Sequence, residues 1–192
     1  EDISRPASTP ASDHLFTVRD EEETEKLGLY LPPDKARQFH HAVAQILFVS
    51  TRVRRDVQTA VAFLTTRVKK PDEDDWGKLK RLLRYLRATR HMKLRLSIDN
   101  VSFIKWWVDA SYNVHWDCKG HTGAMMSLGK GATISFLHKY KLNVRSSTEG
   151  ELVSIYDALP AILWTRFFIE AQGYTVEENV LFQDNQSTIQ LA

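Results

Sequence analysis

Three acidic positions stand where elements end, which is where a chain can spend side chains on chemistry. Asp109 follows the apolar run "FIKWWV", Glu149 and Glu151 open the stretch "STEGELVSIYDAL", and Asp184 closes "NVLFQ". Carboxylates brought together at one sheet edge repel, so a divalent cation is their natural partner. Mg²⁺ favours oxygen ligands, and two such ions about 3.5–4 Å apart clamp a phosphate for in-line displacement. Chemistry of that kind needs several carboxylates on rigid elements and no side-chain nucleophile. Each acid also has a plainer reading. A glutamate at a helix start serves as a dipole partner or half of a capping box, Asp109 suits a turn, and Asp184 suits an N-cap.

Other reactive types are less well arranged. His115, Cys118 and His121 sit three apart in a loop, but three donors do not close a structural zinc site and the spacing is unlike a finger. His40 and His41 fall within a helical pattern. Ser146 and Ser147 have no base partner in view, so triad chemistry is set aside.

The elements that must position the acids can be read from periodicity. Residues 1–34 are polar, with four prolines and the acidic run Asp20-Glu21-Glu22-Glu23, and read as a flexible lead-in in which "LGLYLPP" docks on the helical segment after it. Residues 35–91 are helical. Phe39, Val43, Ile46, Leu47, Val57, Val61 and Leu64 recur at helical spacing, with a break near "STRVRRDV". Pro71 and Asp72 to Asp75 start a further helix, striped by Trp76, Leu79, Leu83 and Leu86. From residue 92 the period becomes alternating. "MKLRLSI", "FIKWWVDAS", "GAMMSLG" and "ATISFLHKYK" read as strands. A long helix comes next, capped by Ser147 or Thr148, stopped by Gly173 and kinked at Pro160. A strand, "NVLFQ", and the start of a last helix complete the order. Trp106 and Trp107 must face opposite sides of their strand. Strands, helix, strand, helix describe an α/β fold, a mixed sheet with flanking helices.

Composition adds limits. The chain has 192 residues, 43% hydrophobic and 26% charged, as in globular proteins, and a net charge of +2. Cys118 is the only cysteine, so no intrachain disulfide forms and a reducing compartment suits it. No apolar stretch reads as long enough to span a membrane. The first residue is Glu1 and the last falls inside a helical pattern, which reads as a fragment of something longer. Lys78, Lys80, Arg81, Arg84 and Arg87 line the basic side of the third helix and suit a phosphate track, with a solvated helix face as the alternative.

The wording of the motifs is more specific than their spacing. "KWWVDASY", "RSSTEGELVSIYDAL" and "LFQDNQSTIQLA", in that order, resemble the ribonuclease H domain of copia-type (Ty1/copia) retrotransposon polyproteins. That family carries "DADWAG", "SSTEAEY" and "DNQSAI" stretches. "GHTGAMMSLGKGATISF" is similar to the family's hairpin. "FHHAVAQILFVSTRVRRDVQTAVAFLTTRVKKPDEDDWGKLKRLLRYLRAT" is similar to the segment between polymerase and ribonuclease H. The resemblance takes in roughly residues 35–192.

The resemblance implies a ribonuclease H-like domain over residues 92–192, truncated at its C-terminus, after a helical connection segment over residues 35–91. It implies hydrolysis of the RNA strand of RNA–DNA hybrids during reverse transcription, by an endonuclease that uses Mg²⁺ or Mn²⁺, as two ions. Asp109, Glu151 (in preference to Glu149) and Asp184 match the family's catalytic, metal-holding acids. The implied partners are the hybrid and the polymerase of the same polyprotein, with no membrane, and the implied setting is a cytoplasmic virus-like particle and later the nucleus. Departures are Ser111 where a second acid is frequent, Gly150 where alanine is usual, "SFLHKYK" in place of "SWSSKKQ", and no fourth acid after Asp184. The last departure leaves a second reading, a catalytically inactive nucleic-acid-binding or connection fragment.

Overall fold

A computed structural model describes residues 4–112, 114, 115 and 117–191. The chain divides into two compact units, Glu1–Lys93 and Leu94–Ala192.

The first unit is helical. Helix α1 (Glu21–Lys26) is followed by α2 (Pro33–Arg52), a 3₁₀ turn (Arg55–Val57), α3 (Gln58–Arg67) and α4 (Glu73–Ala88). Phe39, Val43 and Ile46 of α2 pack with Val61, Phe63 and Leu64 of α3 and with Leu79 and Leu82 of α4. The expected break near "STRVRRDV" is held by a polar network. Arg54, almost fully buried, donates to both Asp56 carboxylate oxygens at 3.0 and 2.8 Å and to Thr89 Oγ1 at 2.6 Å, while Tyr85 donates to Asp56 at 2.9 Å. Asp72 caps α4 through a reciprocal box with Asp75, and Arg67 pairs with both acids.

The lead-in differs from its expectation. Its acidic run forms α1, capped by Asp20, because acids at a helix start suit the dipole. Leu15 and Leu31 are buried in the helical core, with Ala7, Ala11 and Phe16 against it. Enough apolar side chains interrupt the polar composition to give the segment something to bury. "LGLYLPP" docks through Leu31 N–H to Pro71 O and Glu73 N–H to Leu29 O.

The second unit is mixed α/β. Its strands are β1 (Ser97–Ile98), β2 (Phe103–Ser111), β3 (His121–Ser127), β4 (Gly129–Lys130), β5 (Ile134–Lys139) and β6 (Glu178–Phe182), with helices α5 (Ser147–Ala171) and α6 (Gln186–Leu191). The main sheet has the order β5-β3-β2-β6, antiparallel except for the parallel β2–β6 pair, and β1 pairs only with β4. The strand expected over "MKLRLSI" shrinks to Ser97–Ile98, and Met92, Leu96 and Ile98 stay exposed. Alternation alone does not make a strand when only two residues find a ladder partner. Ile104, Trp106 and Val108 of β2, with Ala124 and Met126 of β3, face Ala158, Ile162 and Ile169 of α5. Trp106 is fully buried, while Trp107 on the opposite face is 37% exposed.

Helix α5 is capped by Ser146, one residue earlier than expected, and runs through Pro160 unbroken to Gly173, which takes the positive φ of a helix stop. Its 25 residues are long and apolar enough to cross a membrane by length and composition, which corrects the expectation that no stretch is. That test is also passed by core helices, and one face of α5 covers the sheet. Tyr156, Trp164, Phe167 and Phe168 on its other side are exposed.

Candidate metal centre

The parallel pair β2–β6 sets the geometry. Trp107 is in register with Phe182, and two residues further along the chain come Asp109, still in β2, and Asp184, just past the end of β6. Parallel strands end at the same side of a sheet, so two acids far apart in sequence arrive together. Helix α5 starts at this side and contributes Glu151 from its second turn. Among the described residues, Asp109, Glu151 and Asp184 are the one group of three or more such donors with ligand atoms mutually within 4.8 Å.

The plainer readings of the acids can now be weighed. Glu149 is occupied locally, since it accepts a hydrogen bond from Arg145 N–H at 2.6 Å and its own N–H donates to Ser146 at 3.1 Å. It belongs to the helix cap, and Glu151 belongs to the cluster. Asp109 lies inside β2 rather than in a turn. Asn185, not Asp184, caps α6, accepting from Thr188 N–H at 3.0 Å.

The three acids sit in different surroundings. Asp109 and Asp184 are exposed and Glu151 is buried, at 7% exposure. Burial pushes the Glu151 carboxyl above its usual range, the charges of Asp109 and Asp184 push the same way, and hydrogen bonds from Gln183 and the Ala110 backbone oppose the rise. No salt bridge engages Glu151 or its two neighbours among the described residues. An all-oxygen donor set of this charge suits Mg²⁺ or Mn²⁺. Beside it lies an open groove of about 280 Å³, lined by Trp107, Val108, Asp109, Phe182, Gln183 and Asp184. Trp107 and Phe182 stack there with centroids 5.2 Å apart.

Gln183 is the site residue that sequence patterning misses. Its amide donates to Glu151 Oε2 at 3.0 Å and to Val108 O at 3.4 Å, and accepts from the N–H groups of Asp184 and Asn185 at 2.8 and 3.0 Å. Nothing in the spacing of the chemistry-bearing types marks a glutamine at a strand end. Gly150, where the resembling family has alanine, is explained by Tyr140. Its hydroxyl donates to Gly150 O at 3.1 Å, and a Cβ at this position would lie 3.2 Å from that hydroxyl.

His115 and His121 are both buried, and their Nε2 atoms are in hydrogen-bond contact. Centroids 4.6 Å apart in planes 14° from parallel place the rings tip to tip. Burial holds both neutral, lowering each pKa to about 4. Cys118 between them is exposed. Among the described residues no third donor joins the pair.

The basic helix needs a correction. Lys78 is not available to a phosphate. It is buried, donates to Thr17 O at 2.6 Å, pairs with Asp74 at 2.9 Å and lies over the Phe63 ring. The lead-in explains this, because it covers that side of α4. Arg81 is half-buried and donates to Thr9 at 2.8 Å, and Lys80 is also half-buried. Arg84 and Arg87 line a polar groove of about 410 Å³ with Ser4, Pro6, Ala88, Arg90 and His91.

Comparison with known proteins finds retroelement relatives. Over 98% of its length the chain is 27% identical to the retrovirus-related Pol polyprotein of transposon TNT 1-94 from Nicotiana tabacum, of which the match covers 14%. It is also 27% identical to a transposon Ty5-1 protein of Saccharomyces cerevisiae, over 65% of the chain and 41% of that protein. A third relative, secreted RxLR effector protein 161 of Plasmopara viticola, is 27% identical over 64% of the chain and 87% of that protein. No family model and no solved structure matches the chain. Its homologues include retrotransposon polyproteins, and it spans a small part of the Nicotiana tabacum one.

Proposed function

We propose that this segment of a retroelement polyprotein is a ribonuclease H-type endonuclease, which hydrolyses the RNA strand of RNA–DNA hybrids formed in reverse transcription. The observation that carries the reading is the convergence of Asp109, Glu151 and Asp184 from two strand ends and a helix start. The relation to Pol polyproteins supports the setting, and the mixed sheet is compatible with a ribonuclease H-like fold.

Asp109, Glu151 and Asp184 would hold Mg²⁺ or Mn²⁺, which supplies Lewis-acid activation of water and neutralises charge on the scissile phosphate. Asp109 and Asp184, both exposed, stand at the mouth of the groove where a nucleic-acid backbone can approach. Glu151 is the buried member of the three, and a bound cation would offset the cost of ionising it there. Preorganised carboxylates on a sheet edge and a helix leave little to rearrange during reaction. Arg84 and Arg87 would follow the duplex by its phosphates, without reading sequence. Choice of the RNA strand would rest on 2′-hydroxyls and hybrid shape. The polymerase of the same polyprotein is the proposed neighbour, in a cytoplasmic particle and later the nucleus.

The test is cleavage of an end-labelled RNA–DNA hybrid by the 192-residue chain with Mg²⁺ or Mn²⁺. Asp184→Asn is expected to abolish cleavage while the circular dichroism spectrum and hybrid binding stay as in the wild type. Equal cleavage by this variant overturns the assignment of the acids. Salt-sensitive hybrid binding without any cleavage by the wild type would identify a binding fragment instead.

A further inference from the structure

Beyond the three acids, Gln183 is the side chain that ties the most elements of the centre together. Its amide stands where β2, α5 and the turn after β6 meet. The neighbours fix its orientation. The N–H groups of Asp184 and Asn185 both need an acceptor, so the atom 2.8 and 3.0 Å from them is the amide oxygen. The NH₂ end then faces two acceptors, Glu151 Oε2 at 3.0 Å and Val108 O at 3.4 Å. A flipped amide would set donor against donor and acceptor against acceptor at every one of these contacts.

We propose that Gln183 is the positioning residue of the carboxylate cluster, one amide that anchors the Glu151 side chain and the Asp184 turn to the end of β2. The inference rests on the metal-centre reading above. Asp109 is fixed by the strand that carries it, but Glu151 reaches the cluster on a flexible side chain and is repelled by both neighbours. A neutral donor, Gln183, holds Glu151 Oε2, and the Ala110 backbone also bonds the carboxylate from β2. The residue type suits the task. A lysine or arginine here would neutralise the site and compete with a cation, and a glutamate would set carboxylate against carboxylate. Glutamine supplies a donor and an acceptor at this reach without adding charge. Partners of this kind change metal affinity by roughly 10–100-fold when removed.

The experiment is Mn²⁺ binding to the full chain, read from the electron paramagnetic resonance signal of free Mn²⁺. It compares the wild type, Gln183→Met, Glu151→Gln, the double variant and Asp109→Asn. Gln183→Met is expected to weaken binding about 10-fold. Adding Gln183→Met to Glu151→Gln is expected to cost less affinity than Gln183→Met costs the wild type, because the share of the amide's work done on Glu151 is already gone and only the Asp184 turn is left. Amide exchange at Asp184 and Asn185 should quicken in Gln183→Met while the β2–β3 amides keep their protection. Wild-type affinity in Gln183→Met overturns the proposal, and so does an equal further loss in the Glu151→Gln background, which would mean general loosening. If Gln183→Met does not fold, Gln183→Asn replaces it, since the shorter side chain keeps both amide functions but loses the reach to Glu151. No saturable binding in the wild type, or binding indifferent to Asp109→Asn, would sink the metal-centre reading itself and Gln183's role with it.

Discussion

Glu151 is an acid whose surroundings oppose its charge. Its pKa is raised in the folded chain, first by burial and then by two neighbouring carboxylates. A raised folded-state value means that the protonated form stabilises the fold. That contribution is complete below the unfolded value and is lost as pH rises through the folded one. In the metal-free chain, Glu151→Gln should therefore raise the melting temperature at neutral pH, and the gap should close as pH falls. Mn²⁺ affinity should move oppositely, weakening as the pH drops through the raised value, because a ligand must be deprotonated to bind. Calorimetry across pH 4–8 with and without Mn²⁺ reads both trends. At this scale much was legible: three acids at element ends, and Glu151 chosen over Glu149 by the wording around them. Gln183 was not, because its part depends on which atoms meet after β2 and β6 pair.

Helix α4 shows how an element can mislead. Its basic side is continuous in sequence, but the lead-in packs on part of it, and a helical pattern does not say what will cover a face. Lys78→Met should cost stability, by about 1–3 kcal/mol for a lost buried charged hydrogen bond, with hybrid affinity unchanged. Arg87→Ala should leave stability within about 0.5 kcal/mol and lower hybrid affinity, with a salt slope shallower by about 1. Urea titration and binding at two salt concentrations separate the cases. Helix α5 offers the same contrast on one cylinder. Ile162→Ala, facing the sheet, should cost about 2–5 kcal/mol, and Phe167→Lys, at 61% exposure, about 0.5 kcal/mol or less. Strand β2 and helix α5 were readable because periodicity, caps and stop signals agreed. The strand over "MKLRLSI" failed because its partner offers only Gly129 and Lys130.

For the whole molecule, the two units keep separate cores, and the mixed α/β order of the second was readable from the change of period at residue 92. The sheet order β5-β3-β2-β6 was not, since nothing local says that β6 joins beside β2. That non-local pairing has a consequence in time. The β2–β3–β5 meander closes over short loops, while β6 must wait for α5 to form and cross the sheet, so its docking belongs late on the folding route. On that route Asp184 is expected to reach Asp109 only after the barrier, so that the mutual repulsion of the acids would not burden the nucleus. A cation held by all three should leave the folding rate nearly unchanged and slow unfolding instead. Stopped-flow refolding and unfolding at increasing Mn²⁺ would show the effect on one limb alone, making the ion a latch on the finished sheet rather than a seed for it.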